Sequence, residues 1–99
     1  MNEEFLNDPE FQKLIRLYLG DLNKSLPDVK GYIKSGDFDK LYQFAHNLKG
    51  SGGGYSFNDF SEMGMDMMDC IKKMNIVQFS KIFEQYEQSL GEKLIQFNS

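Results

Sequence analysis

Apolar residues recur along this chain at three- and four-residue spacing, and no stretch sustains an alternation of period two. The pattern predicts helices and no strands. The first helix opens at Asp8-Pro9-Glu10, an N-cap acceptor followed by a proline at the first helical position and an acid in the first turn. Phe11, Leu14, Ile15, Tyr18, Leu19 and Leu22 form its buried stripe. Pro27 is expected to end or kink this helix near Ser25, because its ring nitrogen has no proton to give the ladder. Val29, Tyr32 and Ile33 continue the apolar side toward Gly36, which reads as the C′ glycine.

Asp37 caps a second helix that carries Phe38, Leu41, Tyr42, Ala45 and Leu48 on one face. A third is predicted from Asn58 to Met74, with Phe60, Met63, Gly64, Met67, Ile71 and Met74 in register. The fourth starts near Ile76 and aligns Phe79, Phe83, Tyr86, Leu90, Leu94 and Phe97, close to the 3-4 repeat of a bundle seam. Loops this short make neighbouring helices antiparallel. The expected fold is all-α, an antiparallel up-and-down four-helix bundle with a short N-terminal extension, and residues 1–99 form one domain.

Composition narrows the function. A chain of 99 residues has room for one modest core. Its net charge is −4, its lysines are scattered, and Arg16 is its one arginine, so a nucleic-acid partner is not expected. No apolar run approaches the roughly 20 residues that span a bilayer. The acidic start "MNEEFLNDPEF" is unlike a signal peptide. Cys70 is the lone cysteine and has no partner for an intramolecular disulfide. A cytoplasmic monomer without membrane contact is expected.

The stretch "HNLKGSGGGYS" stands out, because the chain's single histidine, His46, precedes four glycines among residues 50–54. If the second helix continues through them, at 100° per residue His46 lies about 110° from the centre of the buried face, on the flank. Gly50 and Gly53 then fall on the same exposed side. Four helical glycines cost roughly 3–4 kcal/mol relative to alanine, and close approach by another surface is the simplest gain that offsets it. A flexible linker would need no such phase relation. Five methionines between Met63 and Met74 read as core filling, with Met65 and Met68 the least inward and able to extend an apolar rim. Phe44 reads as packing.

Other chemistries fit poorly. In a Walker A loop the lysine follows the glycines, whereas here Lys49 precedes them. The pattern G-x-G-x-x-G fails at Tyr55. One histidine and one cysteine lack the spacing of a metal site, and Cys70 reads as a small packing residue, so no metal is expected. Nothing marks a nucleotide-binding kinase or a self-contained catalytic constellation.

"FAHNLKGSGGG" resembles the signature of the histidine-phosphotransfer family, in which a histidine is followed by Leu-Lys-Gly-Ser and small residues. The likeness extends back through the proline of the preceding helix and the Gly-Asp before the histidine helix, and forward into "FSEMGMDM". One departure is Ser56, where the family commonly has a glycine ten residues after the histidine. The resemblance implies that His46 is phosphorylated on a ring nitrogen by the phospho-aspartate of a response-regulator receiver domain and passes the group on in a phosphorelay. Lys49 corresponds to the lysine that accompanies the phosphate, and Tyr42, Gly50 and Gly53 border the docking surface. No cofactor is implied for this chain, since magnesium and the acidic pocket belong to the receiver. The implied partners are receiver domains and a sensor or hybrid histidine kinase, and the implied role is that of a phosphocarrier without an ATP site. A helical adaptor that binds such partners without being phosphorylated is the alternative.

Overall fold

The computed structural model describes residues 8–98, and the expected N-terminal extension lies outside them. Four helices follow one another: α1 (Pro9–Ser35), α2 (Phe38–Gly54), α3 (Asn58–Lys72) and α4 (Ile76–Asn98). Each packs against its neighbours in sequence, and α1 closes the ring on α4. Among the described residues there is no strand. This is the four-helix bundle that the periodicity predicts.

The caps follow from single side chains. Asp8 accepts a hydrogen bond from the Glu10 amide at 2.8 Å, Asp37 one from Lys40 at 3.3 Å, and Asn75 one from Gln78 at 3.1 Å. The ends of α1, α2 and α3 share one solution. Gly36, Ser56 and Met74 adopt left-handed φ values of 69°, 65° and 54°. In each case the next amide reaches back five residues, as Phe57 does to the Gly52 carbonyl at 2.8 Å and Asn75 to Cys70 at 2.8 Å. Only the first of these positions is a glycine, and an L-residue in this region costs about 1–2 kcal/mol. Ser56→Gly and Met74→Gly are therefore each expected to raise stability by about 1 kcal/mol, a gain of roughly 4–8 °C in Tm. Thermal unfolding followed by circular dichroism checks this.

Two sequence expectations are corrected in α1. The helix runs through Pro27 without ending near Ser25. Asn23 and Pro27 are both exposed, so the carbonyl that loses its ladder partner faces water. The Ser25 hydroxyl donates to the Leu22 carbonyl at 2.7 Å and supports the same turn. Leu19 ahead of the proline and Val29 behind it are both buried, and this packing carries the helix past the missing hydrogen bond. Leu14 is not core: it is 50% exposed, and Leu17 beside it is 58% exposed. A third correction falls on α3, which stops at Lys72, leaving Met74 at the turn and 71% exposed.

The core centres on Leu19, Leu41, Leu48, Phe60, Met67 and Phe79, with Tyr86 and Leu90 also fully buried. Phe44 meets Phe83 and Tyr86 edge-on, the packing role expected of it. The Tyr86 hydroxyl has no hydrogen-bond partner among the described residues, and burial raises its pKa above the ordinary tyrosine range. The seam between α3 and α4 is tied by Lys93. Its ammonium lies 2.7 Å from Asp59, 3.1 Å from the Ser89 hydroxyl, and over the rings of Phe57 and Phe60. Partial burial pushes the Asp59 carboxyl up, but the hydrogen bonds from Lys93 and Ser89 and the nearby charge outweigh it, and the pKa ends below the usual aspartate range.

Two glycines set how closely α2 and α3 approach. A Cβ built on Gly64 would fall 2.6 Å from the backbone nitrogen of Lys49 and 2.7 Å from the Ala45 carbonyl oxygen. One on Gly52 would fall 2.9 Å from both the Phe60 Cβ and the Ser61 nitrogen. At both places backbone meets helix with no side chain between. The turn that carries His46 is thereby seated on α3.

Candidate functional site

The glycine run is helical to its end, since α2 includes Gly54. His46 is exposed on the outer face of that helix, as the phase arithmetic predicts, together with Gln43, Asn47, Lys49, Gly50, Gly53 and Gly54. The glycines divide into two kinds. Nothing lies within 4 Å of a Cβ added to Gly50 or Gly54, and one on Gly53 would meet only the Ser61 hydroxyl at 3.9 Å. Gly52 alone in the run is buried. Three of the four glycines thus strip an exposed helix face of side chains beyond His46, and the fourth serves packing.

The imidazole has no hydrogen-bond partner among the described residues. Its neighbour is Tyr42, one turn earlier and half-buried, whose ring lies nearly parallel to it at 8° with centroids 6.5 Å apart. These two rings, with Gln43 and Asn47, line a surface groove of about 360 Å³. Lys49 stands one turn after His46 on the side toward α3, and its side chain has no ion-pair partner among the described residues. The structure thus brings Tyr42, His46, Lys49, Gly50 and Gly53 to one face.

The neighbouring helices supply a rim that the sequence reading left incomplete. Gly64 sits against the Ala45–Lys49 turn, and the next residue of α3, Met65, is 49% exposed. Across α2, the Tyr18 hydroxyl and the Ser51 hydroxyl share a hydrogen bond of 2.7 Å, and the Tyr18 ring stacks on Tyr55 at 4.3 Å. Burial raises the Tyr18 pKa, and the Ser51 bond offsets part of the rise. This anchors α1 beside the glycine end of α2, with Leu14 one turn before Tyr18 and Leu17 next to it, both exposed. Exposed apolar side chains therefore stand on both helices that adjoin α2. The signal for Leu14 was present in the sequence, because it lies about 95° from the middle of its own helix's buried stripe.

Cys70 is 6% exposed, and burial, then the charges of Asp69 and Asp66, push its thiol up, away from a thiolate. Among the described residues no group of histidine, cysteine, aspartate and glutamate has the arrangement to hold a metal ion. Nor is any of the described helices long and apolar enough to cross a membrane. No family model, curated protein or solved structure matches this chain.

Proposed function

We propose that this protein is a histidine phosphocarrier that takes a phosphoryl group from the phospho-aspartate of a receiver domain onto His46 and hands it to another receiver. The observation that carries the reading is the exposed histidine set in a helix face that glycines leave bare, with exposed apolar residues on both adjoining helices. A ring nitrogen of the neutral imidazole attacks phosphorus, the N–P bond forms, and the P–O bond to the aspartate breaks. The carboxylate leaves, and the proton on the second ring nitrogen exchanges with water. Such an in-line transfer rests on positioning and charge neutralisation. The ammonium of Lys49, one turn away, offsets the charge that phosphorylation brings. Among the described residues no group is arranged to hold a metal ion, and the reading assigns magnesium and the acidic pocket to the receiver. Leu14, Leu17 and Met65 join Tyr42, Gly50 and Gly53 as the surface on which that receiver sits.

Gly50 supplies the test. Nothing occupies the space a Cβ would take there, and the residue is helical with an ordinary φ. Gly50→Gln is expected to raise stability by up to about 1 kcal/mol, as a good helix former replaces glycine. The same side chain stands one turn from His46, in the way of a docking domain. Phosphoryl transfer from a phosphorylated receiver panel is therefore expected to fall at least tenfold while Tm holds or rises. Unchanged transfer would remove the bare face from the mechanism.

A further inference from the structure

The groove beside His46 has a second consequence, which concerns the orientation of its ring. An exposed histidine in a helix has two accessible χ1 wells, both leaning toward the helix N-terminus. Four residues N-terminal of His46 is Tyr42, whose side chain is packed against the core and held by it. The two rings are nearly parallel, at 8°, and the imidazole has no hydrogen bond among the described residues to orient it otherwise. Gly50, the residue one turn toward the C-terminus, offers the ring no atom to lean on, and neither do Gly53 and Gly54 beyond it.

We infer that Tyr42 is a positioning residue, holding the His46 imidazole in one rotamer that lies along the helix and opens toward the bare glycine face. Its kinetic consequence rests on the phosphocarrier reading, but the geometry does not. With the ring fixed, the approaching phosphorus meets one presented orientation and not an average over wells. Without Tyr42 the productive rotamer is diluted between the two wells, and the transfer rate falls by roughly twofold for that reason alone.

The experiment compares Tyr42→Leu, which keeps apolar packing against the core, with Tyr42→Phe, which keeps the ring. The first readout is the set of three-bond couplings that report His46 χ1 by nuclear magnetic resonance, recorded on the unphosphorylated protein. The second is the rate of transfer at saturating phospho-receiver. In wild type the couplings are expected to report one rotamer. In Tyr42→Leu they collapse to averaged values and the rate drops, while Tyr42→Phe restores both. Couplings unchanged in Tyr42→Leu would overturn the inference, and so would averaged couplings with an unaltered rate. A wild-type protein that takes up no phosphate would sink the phosphocarrier reading instead. The coupling comparison would still decide whether Tyr42 sets the ring.

Discussion

His46→Gln is expected to accept no phosphoryl group while keeping the helical spectrum and the Tm of the wild-type protein. The substitution removes the chain's one imidazole, and no other side chain on the α2 face replaces its nucleophilic nitrogen. Glutamine is a good helix former at an exposed position. His46 gives up no hydrogen bond among the described residues, so the fold loses little. Incubation of both proteins with labelled phospho-receiver provides the measurement. Wild type should carry label that is lost in acid and kept in alkali, the behaviour of a phosphoramidate and the reverse of an acyl phosphate. Label of the same kind persisting on His46→Gln would overturn the assignment of the nucleophile. A wild-type protein that binds receivers yet takes no label would be a helical adaptor.

Periodicity was enough to read four helices and the face of α2 on which His46 stands. The reason is physical: a stripe of apolar residues at helical spacing buries in one way, and the opposite flank is then exposed. Capping chemistry likewise marks Asp8, Gly36 and Asp37 locally, without reference to distant residues. The misreadings share a different cause. Pro27 is a local signal for a helix end, but packing on both sides of it outweighs one missing hydrogen bond. Met74 sits at the right phase for the core, yet the helix had already ended, and a left-handed residue at C′ other than glycine gives no signal in the sequence.

Distances between helices were not legible at all. Phase says that Gly64 faces inward, but not that backbone from α2 occupies the space a Cβ would need. Phase also leaves the glycines of α2 undivided in purpose, although Gly52 falls with the core and Gly50 does not. The Tyr18–Ser51 hydrogen bond joins residues 33 apart and has no local signature. The apolar rim of Leu14, Leu17 and Met65 emerges only when three helices are set side by side.

Gly64→Ala is expected to be the most damaging single-methyl change in the bundle. The new carbon would meet the Lys49 nitrogen at 2.6 Å, the Ala45 oxygen at 2.7 Å and the Lys49 Cα at 2.9 Å. All three are backbone atoms, so no rotamer change relieves the contact, and α2 and α3 must separate. Overpacking of this kind costs up to about 3 kcal/mol, and the helix propensity of alanine returns about 1. The net loss of about 2 kcal/mol lowers Tm by roughly 8–16 °C in a domain of this size. Gly31 provides the control, because it is exposed in α1 with nothing within 4 Å of an added Cβ. Gly31→Ala should raise Tm, so the same chemical change carries opposite signs at the two positions. The Gly64 clash also has a functional reach, since the displaced turn is the one between Ala45 and Lys49 that holds His46. At temperatures where Gly64→Ala remains folded, its phosphoryl uptake should fall, whereas that of Gly31→Ala should not. Equal Tm shifts for the two variants would mean that α2 and α3 do not meet backbone to backbone. Normal uptake by folded Gly64→Ala would mean that α3 does not set the position of the histidine.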